Sequence, residues 1–159
     1  MKIIFFGTPL FALESMKSLI KDKHEILALI TAPDTKKGRG RKIVANAIKN
    51  YAIDNNIPVL QPKNLKDKEF ITHVKSFNAD VFVVVAFRML PEIIWKIPPK
   101  GTINLHTSLL PNYRGAAPIN RVLINGEEST GVSTFFINEK IDSGEIILQK
   151  EISNPFYVT

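Results

Sequence analysis

The chain has 159 residues, 45% apolar and 23% charged, a balance typical of one folded globular domain. It has no cysteine, which excludes disulfides, thiolate metal sites and cysteine nucleophiles. The longest apolar run, Val81 to Phe87, is too short to cross a bilayer, and the N-terminus lacks the pattern of a signal peptide. We therefore expect a soluble, cytoplasmic protein.

The net charge of +6 is concentrated in one short stretch, residues 35–42, which we call the basic segment. Five of the 21 Lys and Arg residues lie here, and no acidic residue lies among them: Lys36, Lys37, Arg39, Arg41 and Lys42. The rest of the chain has 16 Lys and Arg against 15 Asp and Glu. Such a local excess favours one placed anionic partner over a surface that coats nucleic acid. The alternative is a solvated loop without a partner.

Apolar residues in the first half of the chain predict alternating strands and helices. Residues 2–6 form a bulky apolar strand that stops at Gly7, after which Thr8 is expected to cap a helix with Pro9 in its first turn. The apolar face of that helix is expected to comprise Phe11, Ala12, Met16, Leu19 and Ile20. The alternation continues with a strand at 25–31, a helix at 43–53, a strand at 58–61 and a helix at 69–77.

The later segments complete the predicted fold. A valine-rich run at 80–87, apolar on both faces, indicates a central strand covered by helices on both sides. A short helix at 91–95, a turn at 98–101 and a strand at 102–106 follow. Two β-rich runs, 131–137 and 145–152, suggest neighbouring strands and are compatible with an antiparallel pair. The sequence therefore predicts an α/β fold with a doubly wound, mostly parallel, Rossmann-like sheet.

Asn104 and His106 are the first candidates for chemistry, because open α/β sheets bind ligands beyond the carboxyl ends of their strands. Positions two apart on a strand face the same side. An amide can donate to a developing oxyanion while a neutral imidazole accepts a proton, which together describe acyl transfer to an amine. The structural alternatives are a half-buried histidine with satisfied hydrogen bonds and an amide that caps a turn.

The residues after His106 form a long and specific motif, Ser-Leu-Leu-Pro-Asn-Tyr-Arg-Gly-Ala-Ala-Pro at 108–118. With Phe-Gly-Thr-Pro at 6–9, Pro-Asp at 33–34 and Ile-Asp-Ser-Gly at 141–144, it resembles the 10-formyltetrahydrofolate-dependent formyltransferases along essentially the whole chain. The resemblance implies that Asn104 stabilises an oxyanion and that His106 assists proton transfer from the attacking amine. Asp142 would hold His106 and a site water in the required state; its alternative is an ordinary turn aspartate.

The same resemblance places the folate against two segments: Phe87, Arg88, Met89 and Leu90, and Ser108, Leu109, Leu110 and Pro111. The chain departs from the commonest family pattern at two places. The family often has Ala-Tyr-Gly where this chain has Ala86-Phe87-Arg88, and Thr107 stands where glycine is frequent. The sequence has no dinucleotide fingerprint, no Walker loop and no metal-ligand spacing, and formyl transfer from a folate needs no metal.

The acceptor of the formyl group is predicted from residues 33–42, Pro-Asp-Thr-Lys-Lys-Gly-Arg-Gly-Arg-Lys. They resemble the loop with which family members that formylate methionyl initiator tRNA hold its acceptor stem, and by position Arg39 would contact the tRNA end. Glycines keep such a loop deformable while flanking cations pair with phosphates. We therefore expect formyl transfer from 10-formyltetrahydrofolate to methionyl initiator tRNA, as part of translation initiation.

Two alternatives stay open. A sugar-amine N-formyltransferase would share the Asn, His and Asp without needing the basic segment. A non-catalytic folate- or RNA-binding remnant is the other, because family members that act on tRNA usually continue with further helices and a second, β-barrel domain. We expect residues 1–159 to be a catalytic domain truncated at its C-terminal end, without a second domain.

Overall fold

A computed structural model describes residues 1–34, 36–37, 42–43 and 46–154, with the backbone alone at 36–37 and 42–43. The chain forms two compact units, Met1–Thr102 and Ile103–Thr159, which we call unit 1 and unit 2. Across the described residues, every helix falls short of the length and apolarity needed to cross a membrane.

Unit 1 alternates strands and helices as the sequence predicts. Its elements are β1 (Lys2–Gly7), α1 (Leu10–Lys21), β2 (Glu25–Ile30), β3 (Lys36–Lys37), β4 (Lys42–Ile43), α2 (Ala47–Asp54), β5 (Val59–Leu60), α3 (Lys68–Ser76), β6 (Val81–Val85) and α4 (Glu92–Trp95). Four strands lie parallel in the order β5-β2-β1-β6. The chain thus builds outward from β1 and then returns to place β6 on its other side, so the doubly wound α/β arrangement is confirmed.

The reversal of strand order between β1 and β6 is the point at which open α/β sheets bind ligands. The core beneath it is aromatic: Phe5, Phe6 and Phe82 are fully buried, and the rings of Phe6 and Phe82 lie 5.3 Å apart. Gly7 is the last residue of β1, and a Cβ there would lie 2.8 Å from the Phe5 ring and 2.9 Å from the Cβ of Ala12. Glycine therefore lets α1 begin directly against the strand.

Three local expectations in unit 1 are wrong. Thr8 does not cap α1: Pro9 is the N-cap, and the Thr8 hydroxyl accepts instead from the N–H of Ala32 at 3.3 Å. Phe11 is exposed, since the buried face of α1 runs through Ala12, Leu13 and Met16. The helix expected at 43–53 begins at Ala47, because the Asn46 side chain caps it and Ile43 belongs to β4.

Unit 2 is built on an antiparallel sheet. Strand β7 (Thr102–His106), which starts at the last residue of unit 1, is followed by α5 (Pro118–Ile124), β8 (Ser129–Phe136) and β9 (Ile146–Ser153). Strand β8 pairs antiparallel with both β7 and β9, which confirms the predicted neighbouring strands. Helix α5 was missed, although Pro118 in its first turn and the spacing of Ile119, Val122 and Leu123 favour a helix.

Candidate active site

Asn104 and His106 lie on one face of β7, two residues apart. In the antiparallel register they stand opposite Phe135 and Ser133 of β8, both buried. His106 is 7% exposed, whereas Asn104 is half-buried. Among the described residues, none makes a hydrogen bond with the Asn104 side chain, so its amide N–H groups are available to a ligand.

The hydrogen bonds of His106 assign the proton on its ring. Nε2 lies 2.9 Å from the carbonyl oxygen of Tyr113, and because a carbonyl can only accept, Nε2 must donate. A neutral ring with its proton on Nε2 carries its lone pair on Nδ1. Nδ1 lies 3.7 Å from Oδ2 of Asp142, too far for a direct hydrogen bond but close enough for an ion pair once the ring is protonated.

Asp142 is held beside His106 by the segment that follows β7. Its Oδ2 accepts from the backbone N–H of Gly115 at 2.8 Å, and its carbonyl oxygen accepts from Arg114 Nε at 2.9 Å. The backbone of Asp142 is left-handed, with φ of 47°, which aspartate tolerates better than most residues. Gly144 leaves no space for a side chain, since a Cβ would lie 1.6 Å from the carbonyl oxygen of Phe136.

The structure therefore brings His106 and Asp142 together in unit 2, on the strand face that also carries Asn104. Neither spacing nor local pattern indicated which loop atoms would hold Asp142. The catalytic roles of these residues stay predictions. Among the described residues, the structure groups no three His, Asp or Glu side chains that could hold a metal ion.

Ser133 is a residue of this face that the sequence reading missed. Its buried hydroxyl donates to the carbonyl of Ser108 at 2.7 Å and accepts from the N–H of Leu110 at 3.1 Å. Gln149 of β9 donates to the Ser133 hydroxyl and to the Leu110 carbonyl, each at 2.8 Å. The sequence does carry one sign of its role: Ser133 is a polar residue at a position that the alternation of β8 places in the core. These bonds hold the segment after His106 against the sheet.

That segment includes one of the two sets of predicted folate contacts. Ser108 and Leu110 are buried and Pro111 is exposed. The Ser108 hydroxyl donates to the carbonyl of Asn112 at 2.7 Å. Leu109 packs on Gly131, where a Cβ would lie only 2.4 Å from Leu109 Cδ2. The segment is thus shaped by its own unit, and its contact with folate stays a prediction.

The second set of predicted folate contacts lies in unit 1, directly after β6. The Phe87 ring packs against that of Phe6, with centroids 5.6 Å apart. Arg88 donates to the backbone carbonyls of Pro62 and, at 3.0 Å, Lys63, and its guanidinium lies 5.6 Å from the Phe87 ring. Met89 is 73% exposed and Leu90 is buried. Arg88 and Met89 are therefore the exposed residues of this set, and Phe87 is half-buried.

The basic segment is described in part. The backbones of β3 and β4, which carry Lys36, Lys37 and Lys42, pair antiparallel. Arg39 and Arg41, predicted to bind tRNA, lie outside the described residues.

The chain on either side of the basic segment is tied together. Asn46 Nδ2 donates to the Thr31 hydroxyl at 2.8 Å, and Lys49 Nζ lies 2.5 Å from Oδ2 of Asp34. The hydrogen bond from Lys49, followed by that from Gln61, holds the pKa of Asp34 below its usual 3.8.

Comparisons with known proteins identify a family. The sequence profile described as formyl transferase matches residues 1–154. The methionyl-tRNA formyltransferase of Flavobacterium johnsoniae is 54% identical over 153 residues, which cover 96% of this chain and 49% of the relative. That of Clostridioides difficile is 53% identical over 154 residues, with 96% and 50% covered. The chain thus spans about half the length of the curated relatives it matches.

Solved structures share the fold at low sequence identity. The phosphoribosylglycinamide formyltransferase of Bacillus halodurans has a TM-score of 0.79 at 22% identity, covering 100% of this chain and 83% of that one. A formyltetrahydrofolate deformylase from Pseudomonas syringae has a TM-score of 0.75 at 20% identity, covering 99% and 52%. These likenesses confirm the predicted fold class.

Proposed function

Because the chain belongs to the formyl transferase family, we propose that it is the catalytic part of an enzyme that formylates the amino group of methionyl initiator tRNA. The donor would be 10-formyltetrahydrofolate. The observation that carries the proposal is the pairing of His106 Nδ1 with Asp142 Oδ2 at 3.7 Å. It occurs on the strand face that also carries Asn104, whose side-chain amide makes no hydrogen bond with the described residues. Relatives at 53–54% identity that are named methionyl-tRNA formyltransferase support the choice of acceptor.

The proposed reaction uses each of the three side chains once. The methionyl amine attacks the formyl carbon of the donor, and the carbonyl oxygen becomes an oxyanion to which the Asn104 amide donates. Nδ1 of His106 takes the proton that the amine loses, and the Asp142 carboxylate stabilises the resulting imidazolium. The intermediate then collapses: the bond between the formyl carbon and N10 of the folate breaks, and the imidazolium returns its proton to N10.

We propose that the basic segment binds the tRNA, with Lys36, Lys37, Arg39, Arg41 and Lys42 facing its phosphates. Cations that neutralise phosphates release counterions, which makes affinity salt-dependent. The contacts of Asn46 with Thr31 and of Lys49 with Asp34 support this proposal, because they hold the chain before the segment against the chain after it. The folate would be contacted by residues 87–90 and 108–111, as the family resemblance implies.

The test is a formylation assay of the 159-residue chain with 10-formyltetrahydrofolate and three acceptors: initiator tRNA charged with methionine, the same tRNA uncharged, and an amino-sugar nucleotide. We expect formylmethionine, released by ester hydrolysis and detected by mass spectrometry, from the charged tRNA alone. Formyl transfer to the amino sugar with the charged tRNA ignored would establish the sugar-amine alternative. Folate binding without transfer to any acceptor would overturn the catalytic proposal.

The basic segment is tested by replacing Arg39 and Arg41 with Gln. We expect the variant to use tRNA less well. The slope of log affinity against log salt concentration should become shallower by about 0.7 to 0.9 for each phosphate contact that is lost. The KM for the folate should stay unchanged. The control carries Lys21→Gln and Lys23→Gln, which remove the same charge from exposed positions outside the segment. Equal effects in the two variants would overturn the proposed contact.

A further inference from the structure

Two acceptors face the ring of His106, but only the carbonyl oxygen of Tyr113 lies within hydrogen-bond distance, because Oδ2 of Asp142 is 3.7 Å from Nδ1. The carbonyl oxygen accepts from Nε2 at 2.9 Å. If the ring held its proton on Nδ1 instead, the Nε2 lone pair would face the carbonyl lone pairs, and this part-buried polar pair would be left without a hydrogen bond. An unmade hydrogen bond away from water is unfavourable, which selects the tautomer with the proton on Nε2. The placement of this carbonyl therefore decides which nitrogen can act as a base.

Tyr113 is itself fixed by contacts within unit 2. Its backbone is left-handed, with φ of 57°, an uncommon conformation for an aromatic residue that its surroundings must maintain. Its hydroxyl donates to the carboxylate of Glu127 and accepts from Asn125 Nδ2, the latter at 2.9 Å. Immediately before it, the carbonyl of Asn112 accepts from the buried Ser108. The Tyr113 peptide is thus held from its side chain and from the preceding residue.

We propose that Tyr113 is a positioning residue for His106, whose carbonyl keeps the imidazole proton on Nε2 while Glu127 and Asn125 hold the tyrosine in place. The consequence for catalysis rests on the proposed function, because only an amine acceptor makes use of Nδ1. The tautomer is a property of the folded chain and needs no substrate. Glu127 and Asn125 follow α5, so this assigns a role to a loop outside the Asn104, His106 and Asp142 group.

The hydrogen bond between the Tyr113 hydroxyl and Glu127 supports the arrangement. It is the largest cause of a raised pKa of the Tyr113 hydroxyl, above the usual 10.0. At neutral pH the hydroxyl is therefore protonated and remains a donor. The stabilisation that this hydrogen bond gives the folded state is present below pH 10 and is lost as the pH rises through the raised pKa.

The tautomer can be read directly by long-range proton–nitrogen NMR of the 15N-labelled chain, which has three histidines. We expect His106 of the unaltered protein to carry its proton on Nε2, and the opposite tautomer would overturn the proposal without any variant. In Tyr113→Phe, which loses only the hydroxyl, we expect a mixture of tautomers at His106. Unchanged nitrogen shifts of His106 in a folded Tyr113→Phe protein would also overturn it.

Two further variants separate positioning from general stability. Glu127→Ala should behave like Tyr113→Phe, whereas Glu127→Gln keeps an acceptor for the hydroxyl and should restore the tautomer of the unaltered protein. Tyr51→Phe in α2 is the matched control and should leave His106 unchanged. If the chain formylates an amine, Tyr113→Phe should also lower kcat by about 10-fold, below the roughly 100- to 10,000-fold due to a positioned base, with the folate KM unchanged. A tautomer shift in a chain that formylates nothing would contradict the proposed function and leave the positioning role standing.

Discussion

The carboxylate oxygen of Asp142 that lies nearest His106 also accepts a hydrogen bond from the backbone N–H of Gly115, at 2.8 Å. Gly115 has φ of 88°, which a residue with a side chain rarely adopts. This bond orients the carboxylate before any proton moves. Since Oδ2 is 3.7 Å from Nδ1 of His106, the carboxylate's contribution comes from its charge when the imidazole is protonated.

Asp142→Asn tests that charge with little change of shape. Asparagine can still accept from Gly115 and tolerates a left-handed backbone, but it cannot stabilise an imidazolium. We expect kcat for formyl transfer to fall by about 100-fold or more, with the folate KM unchanged. The control is Asp54→Asn, an exposed change at the end of α2. Turnover close to that of the unaltered protein in Asp142→Asn would contradict the proposed role.

Asn104→Ala tests the oxyanion donor. Removing one such donor lowers turnover by about 100- to 1000-fold. Because no described residue bonds to the Asn104 side chain, thermal unfolding should be nearly unchanged. The matched control is Asn120→Ala, on the exposed side of α5. If Asn104→Ala retains full turnover, the amide is not the oxyanion donor; if it loses Tm as well as turnover, the side chain has a structural role.

Ser133→Ala tests the hydroxyl that binds the segment after His106. The change leaves the N–H of Leu110 and the carbonyl of Ser108 without this partner in a buried place. We expect the free energy of unfolding in urea to fall by about 2 kcal/mol. Ser129→Ala, at the start of β8, removes a hydroxyl that donates to the exposed Glu151 and should change stability by less than about 0.5 kcal/mol. Equal losses in the two variants would contradict the role of Ser133.

The lowered pKa of Asp34 predicts that its ionised side chain stabilises the folded protein in a pH-dependent way. Its pKa is lowered below 3.8 by the hydrogen bond from Lys49, so its contribution is present above that value and is lost as the pH falls through the folded-state pKa. Urea unfolding should show Asp34→Asn to be less stable than the unaltered protein at neutral pH, with the difference shrinking below pH 3.8. In a Lys49→Ala background the pH dependence of this difference should largely disappear. A difference that is constant with pH would contradict the pairing.

Local patterns predicted most of unit 1 because its strands are continuous apolar runs and its helices carry a periodic apolar face. The errors fall where a side chain has a choice of partner. Thr8 could cap α1 by local chemistry, yet its hydroxyl bonds to Ala32, which is distant in sequence. In unit 2, α5 is short and buries only Val122, so its apolar pattern was too weak to be recognised.

That Asn104 and His106 share a strand face follows from the primary sequence, because side chains alternate with a period of two, and the sequence motifs indicate the family. Which nitrogen of His106 bears the proton follows only from the folded chain, because it depends on where the Tyr113 carbonyl lies. The tertiary structure alone placed Asp142 at 3.7 Å from Nδ1, through a turn that only glycine at 144 can make and a bond to Gly115. A strand's period is local, whereas an approach between loops is set by the packing of every element between them.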